Sequence, residues 1–144
     1  MTKSIYEIEN EITDEFSFFA DWQDKYEYII ELGKKLKDFP EDKRTAENMV
    51  KGCQSSVWLV TERLNGSIVF KADSDSTIVK GLIALLIRVL SGKSSDEIVN
   101  AKLEFIDKIG LRQHLAQTRA NGLAAMIKQM KMYAIGYKTK EQLN

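Results

Sequence analysis

The chain reads as an α+β protein, a small antiparallel β-sheet packed with helices. Three observations predict this class. Apolar residues recur at three- and four-residue steps near both ends of the chain. Two β-type runs meet at Asn65-Gly66, and the segment from Thr77 to Leu90 is apolar almost all round. With 144 residues, 44% of them hydrophobic, the chain can bury a sizeable core as one domain spanning residues 1–144.

Ile5, Ile8, Ile12, Phe16 and Phe19 predict a first amphipathic helix. Asp21 can cap a second, with Asp24 in its first turn, where a carboxylate meets the positive end of the helix dipole. Trp22, Tyr26, Ile29, Ile30 and Leu36 form its buried stripe, and Pro40 closes the segment. Residues 40–52 are mostly polar and read as a loop, with room for a short strand at Asn48–Val50.

A hairpin follows, with strands at Val57–Leu64 and Ser67–Asp73 and the dipeptide that a type I′ turn prefers between them. Pairing across Asn65-Gly66 sets Arg63 opposite Ile68, Thr61 opposite Phe70 and Leu59 opposite Ala72. Val57, Leu59, Ile68, Phe70 and Ala72 then share the core face. Trp58, Val60 and Val69 fall on the other side with Glu62, Lys71 and Asp73, a face only half covered.

The Thr77–Leu90 helix should be central and buried on most sides, ending at Gly92. Ser94 and Glu97 make a capping box for a short helix through Val99. Phe105, Ile106, Ile109 and Leu111 mark another helical piece. Thr118 can cap a last helix with the stripe Leu123, Met126, Ile127, Met130 and Ala134, ending near Gly136.

Composition excludes several function classes. Lys+Arg 21 against Asp+Glu 21 leaves no net charge, so neither nucleic acid nor an anionic membrane is an expected partner. The first twenty residues are acidic and lack the apolar core of a signal peptide. The longest apolar run, Ile78 to Leu90, is too short to span a bilayer and contains Lys80 and Arg88, so a cytoplasmic protein is expected. One cysteine excludes an internal disulfide, and one cysteine with one histidine argues against a Cys/His zinc site or an iron–sulfur scaffold on this chain alone.

That cysteine lies in "MVKGCQSSVWLV", between a glycine and small polar residues, ahead of the first strand. A lone free cysteine can be a small buried hydrophobe. It can also be a reagent, and here Gly52 allows unusual backbone angles while Gln54, Ser55 and Ser56 offer donors to a sulfur anion. Antiparallel pairing brings the Cys53 loop beside Asp73-Ser74-Asp75 and the start of the central helix. The helix end favours a thiolate and the two aspartates disfavour one, so no strong activation is expected. At an ordinary pKa of about 8.5, about 3% of the thiol is ionised at pH 7, enough for exchange with a good sulfur donor.

"GCQSSVWLV" resembles the signature of the SufE family, the sulfur acceptors that work with cysteine desulfurases in iron–sulfur cluster assembly; CsdE proteins are close relatives. "WQDKYEYIIELGKKL", "ADSDSTIVKGLIALL" and "LRQHLAQTRANGLAAMI" resemble further family blocks in the same order, covering about Trp22 to Ala134. The departures are Thr118 where the family usually carries serine before Arg119, and a polar tail from Tyr137 to Asn144.

The resemblance implies a fold shared with IscU-type scaffolds, an antiparallel sheet backed by helices. It implies that Cys53 takes sulfane sulfur from a persulfide on a SufS- or CsdA-type desulfurase and passes it to an iron–sulfur scaffold such as the SufBCD complex. The pyridoxal phosphate belongs to the desulfurase; no cofactor or metal is expected on this chain, which would be an accessory carrier that stimulates the desulfurase, not an independent enzyme. Gly52, Gln54 and Ser55 would support the loop.

Lys51, Asp75 and Arg119 are candidates for partner contact. Asp75 matches a family aspartate beside the cysteine loop; its alternative reading is a cap for the central helix. Arg119 could be an electrostatic partner of the loop or of the desulfurase, or a solvated arginine in the last helix. Two rival functions remain at this point: a Cys53–His114 hydrolase or transferase, and a regulatory module in which Met126 and Met130 form an adaptable groove.

Overall fold

A computed structural model of the protein describes residues 3–143; Met1, Thr2 and Asn144, which the domain and tail expectations include, lie outside them. Its sheet has two antiparallel strands, β1 (Val57–Leu64) and β2 (Ser67–Ser74), so the second strand runs one residue beyond the expected end. Asn65 and Gly66 have φ of 51° and 82°, the pair of positive angles that a type I′ turn demands. The register is the expected one, with Arg63 opposite Ile68, Thr61 opposite Phe70 and Leu59 opposite Ala72. Val57, Leu59, Ile68, Phe70 and Ala72 are buried, whereas Trp58, Val60 and Val69 on the outer face are only half-buried.

Helices lie before and after the hairpin: α1 (Ile5–Phe16), α2 (Trp22–Lys34), α3 (Thr77–Leu90), α4 (Ser95–Asn100), α5 (Phe105–Lys108), α6 (Leu111–His114) and α7 (Gln117–Leu143). Ser4, with Glu7, and Ser94, with Glu97, form capping boxes, and the Asp21 carboxylate accepts the Asp24 amide at the start of α2. Helix α3 is the centre. Its buried Ile78, Leu82, Leu85, Leu86 and Val89 pack in one core with the inner sheet face, and each such side chain contributes about 1.5–3 kcal/mol of burial. Helix α2 crosses α3 at Gly33 and Gly81, where a Cβ on Gly81 would lie 2.1 Å from the Ile29 carbonyl oxygen. Of the expected α2 stripe only Ile29 is fully buried; Trp22, Tyr26, Ile30 and Leu36 are half-buried.

Four local expectations are corrected. The proposed strand at Asn48–Val50 is a single bridge from Met49 to Trp58, because a 3₁₀ turn at Ala46–Asn48 uses up the preceding residues. Thr118 does not cap α7; the helix already includes Gln117, and the Ala116 carbonyl accepts the Ala120 amide. Nor does α7 stop near Gly136. It continues to Leu143, held by a 2.9 Å hydrogen bond between the Tyr137 and Thr61 hydroxyls and a 2.7 Å Arg63–Glu141 ion pair. The cap of α3 is Ser76, whose hydroxyl accepts the Val79 amide, so Asp75 is free for another role.

Candidate functional site

Both ends of the cysteine loop are tied. At its base the Val50 amide donates to the Val57 carbonyl at 2.8 Å, beside the Met49–Trp58 bridge on the edge of β1 opposite β2. On the downstream side the Asp75 carboxylate accepts the Ser56 amide at 3.1 Å, while the Ser74 hydroxyl and the Asp75 amide donate to the Ser56 carbonyl at 2.8 and 3.3 Å. Residues 51–55 between these ties take part in only one other hydrogen bond among the described residues. Gly52 bends the chain at φ 94°, a left-handed angle that a side chain would resist, and a Cβ there would come within 3.2 Å of Ala125 on α7.

That one bond belongs to Cys53, whose thiol donates to the Gly122 carbonyl of α7 with Sγ 3.6 Å from the oxygen. A Cβ added to Gly122 would lie 3.6 Å from Sγ, in ordinary van der Waals contact. Beside the sulfur is an open cavity of about 340 Å³. Val79 and Leu82 of α3 and Leu123 and Met126 of α7 supply its apolar wall; Gln54, Ser55, Thr118 and Arg119 supply its polar one. Cys53 is half-buried and unpaired with any other thiol.

Burial pushes the Cys53 thiol above the ordinary cysteine range. The expected opposition from two aspartates is not the cause. Asp73 points away into its own ion pairs, with Arg44 Nη2 2.5 Å from Oδ2 and Lys80 Nζ 3.3 Å from Oδ1. Burial alone would push the Asp73 carboxyl up, but Arg44, the Ser74 amide and Lys80 outweigh it and hold the group below its usual value.

The other candidates are distributed unevenly. Gln54 is exposed at the cavity rim and Ser55 is half-buried in its lining, whereas Lys51 is exposed and outside it. Arg119 lines the cavity and donates to the Tyr26 hydroxyl at 3.3 Å, with its guanidinium 6.0 Å from the centre of that ring. His114 is not among the residues around Cys53. Its ring stacks on Trp22 at 4.8 Å and its Nδ1 lies 2.9 Å from the Gly110 carbonyl oxygen, so the thiol–imidazole dyad is not assembled. Met126 and Met130 are buried core residues, not an open groove.

Sequence reasoning missed the carbonyl seat at Gly122, although the block LRQHLAQTRANGLAAMI that contains it was marked, and it missed Arg44. Among the described residues no group of three or more histidine, cysteine, aspartate or glutamate side chains is placed to hold a metal ion. Among the same residues no helix is long and apolar enough to cross a membrane.

Comparison with known proteins places this geometry. A solution structure of a hypothetical protein from Thermus thermophilus superposes with a TM-score of 0.75 over 92% of this chain and 96% of its own, at 17% identity, which shows a common fold. An uncharacterized SufE-like protein of Rhizobium meliloti is 45% identical over 132 residues, 88% of this chain and 94% of the relative. A second, from Rhizobium etli, is 45% identical over 127 residues, 85% and 86% of the two chains. The family model for the SufE domain, described as an Fe-S metabolism associated domain, matches residues 10–134 and so takes in much of α1, upstream of the motifs that carried the resemblance. This chain belongs to the SufE family of domains associated with iron–sulfur metabolism.

Proposed function

We propose that the protein is a sulfur carrier that is loaded on Cys53 by a pyridoxal-phosphate-dependent cysteine desulfurase. The observation that carries this reading is the placement of Sγ: half-buried against the Gly122 carbonyl, in the middle of a loop tied at both ends, with a cavity of about 340 Å³ beside it. That space has room for one more sulfur atom, and Val79, Leu82, Leu123 and Met126 give the loaded group an apolar wall on one side.

In the transfer the Cys53 thiolate attacks the outer sulfur of the donor persulfide. A new bond forms between Sγ and that sulfur, the donor's own S–S bond breaks, and the donor cysteine leaves as a thiolate. Sulfane sulfur changes owner with no net oxidation, so the acceptor needs neither a redox cofactor nor a general base. Arg119 at the cavity rim offers positive charge to the persulfide anion or to the donor surface, Asp75 holds the loop through Ser56, and Lys51 is an exposed cation for partner contact. A SufS- or CsdA-type desulfurase is the donor in this reading, its turnover quickened as the acceptor clears its persulfide, and an assembly scaffold such as the SufBCD complex receives the sulfur. The chain acts as an accessory protein in the cytoplasm.

Incubation with a cysteine desulfurase and cysteine should add about 32 Da, one sulfur atom, to the intact mass, and Cys53→Ser should abolish the gain. No gain with a desulfurase that is active toward other acceptors rejects the carrier. His114→Ala should load like the wild type, because its imidazole is engaged with Trp22 and Gly110.

A further inference from the structure

The tripeptide Asp73-Ser74-Asp75 at the end of β2 grips the cysteine loop from both sides. Ser74 and Asp75 hold Ser56 on the downstream side. Upstream, Asp73 holds Arg44, whose Nε and Nη2 both donate to Oδ2, at 3.2 and 2.5 Å. Asp73 is 7% exposed while the Arg44 side chain keeps 28%, so the carboxylate end of this ion pair is shielded and the guanidinium end is partly open to water and salt. Lys80 of α3 approaches the other carboxylate oxygen at 3.3 Å in a geometry that is not a hydrogen bond, leaving Oδ1 without a hydrogen-bond donor. Arg44 is further braced by Glu41 and by the Phe39 ring, 5.6 Å from its guanidinium carbon.

A carboxylate buried this deeply needs a partner, and the partner here comes from the irregular segment that leads into the cysteine loop. Residues 37–48 contain no strand and no α-helix, only 3₁₀ turns at Glu41–Lys43 and Ala46–Asn48. Within it the Asn48 side chain donates to the Lys43 carbonyl at 2.9 Å, and beyond it Met49 and Val50 are bridged to Trp58 and Val57, but none of these bonds reaches the end of β2. Arg44, inside the segment, ties its middle to the end of β2.

We infer that Arg44, acting through Asp73, is a positioning residue for the cysteine loop, confining movement to residues 51–55 so that Cys53 is presented from a fixed base. The effect on sulfur loading rests on the carrier reading; the mechanical effect does not. A loop with both flanks fixed loses less conformational freedom when a donor docks, so loosening one flank should weaken productive encounter more than the chemical step.

Hydrogen exchange followed by mass spectrometry on the full chain, with Arg44→Gln and Arg44→Lys, tests this. Arg44→Gln should speed exchange of the amides of residues 44–50 by roughly ten-fold or more while peptides from α3 keep the wild-type rate. Arg44→Lys keeps the charge but loses the two-pronged grip, and should fall between. With desulfurase and cysteine, the acceptor concentration that half-saturates loading should rise roughly three- to ten-fold in Arg44→Gln with the maximal rate kept. Unchanged exchange at residues 44–50, or an equal rise in α3, overturns the assignment; if Arg44→Gln does not fold, Arg44→Lys decides by the same criterion. Absence of sulfur uptake by the wild type would reject the carrier alone, because the exchange result stands without it.

Discussion

Two glycine contacts in this molecule look alike in sequence and differ in kind. At the crossing of α2 and α3, Gly33 and Gly81 meet backbone to backbone, and a Cβ would lie 2.6 Å from the Gly81 nitrogen in one case and 2.1 Å from the Ile29 oxygen in the other. Where α7 meets the cysteine loop, a Cβ on Gly122 would lie 3.6 Å from Sγ, ordinary van der Waals contact. The first contact has no slack; the second has space for about one methyl group. The protein is packed to contact where helices must hold the sheet, and left open where an atom must arrive.

The largest expected effect comes from filling the tight contact. Gly81→Ala should destabilise the protein by about 3 kcal/mol or more, or prevent folding, measured by denaturant unfolding, since the obstacle is backbone that cannot swing aside. A mild effect there would mean that the two contacts do not differ as described.

Acid should loosen the framework next. Burial raises Asp73 but Arg44, the Ser74 amide and Lys80 bring it below its ordinary value, and the Arg88 hydrogen bond does the same for Glu15 against its burial, helped by the Tyr28 hydroxyl. Groups with depressed values add stability that is complete above the unfolded carboxylate range of about 3.9–4.3 and fades as pH falls through their folded values. Unfolding titrations between pH 7 and pH 3 should show stability falling below about pH 4, less steeply in Asp73→Asn.

Gly122→Ala sharpens the comparison from the other side. Alanine suits a helix better than glycine by about 0.5–1 kcal/mol, and the contact is tolerable, so stability should be unchanged or slightly raised. Sulfur loading should still fall, because the methyl group occupies space beside Sγ. The smallest effect concerns the thiol itself. Its alkylation rate should rise with pH through a midpoint above about 8.5, the sign that burial dictates, and lower in a variant that opens the loop.

Much of this architecture was legible in the sequence because local and global preferences agree. Asn65-Gly66 sets the hairpin register, and the alternation of Val57, Leu59, Ile68, Phe70 and Ala72 selects the inner face. The ends of α7 were not legible. Gly136 is a common place for a helix to stop, yet Tyr137 and Glu141 reach Thr61 and Arg63 and hold the helix past it. Around the site, Cys53 and its glycine could be picked out, and Asp75 could be placed near the loop but not assigned between two roles. The Ser76 cap resolves that choice. Arg44 and Gly122 act across 29 and 69 residues of chain, distances over which no local pattern reports.

The rung between Val50 and Val57 also has a metric consequence. Three residues lead from Val50 to Cys53, and at about 3.5 Å per extended residue the cysteine's α-carbon stays within about 10 Å of that rung even when the leash is taut. Any protein that exchanges sulfur here must therefore carry its own reactive atom to within that radius plus the length of the cysteine side chain. A visitor whose reactive group lies deeper beneath its surface than the leash is long stays out of range, however tightly it docks.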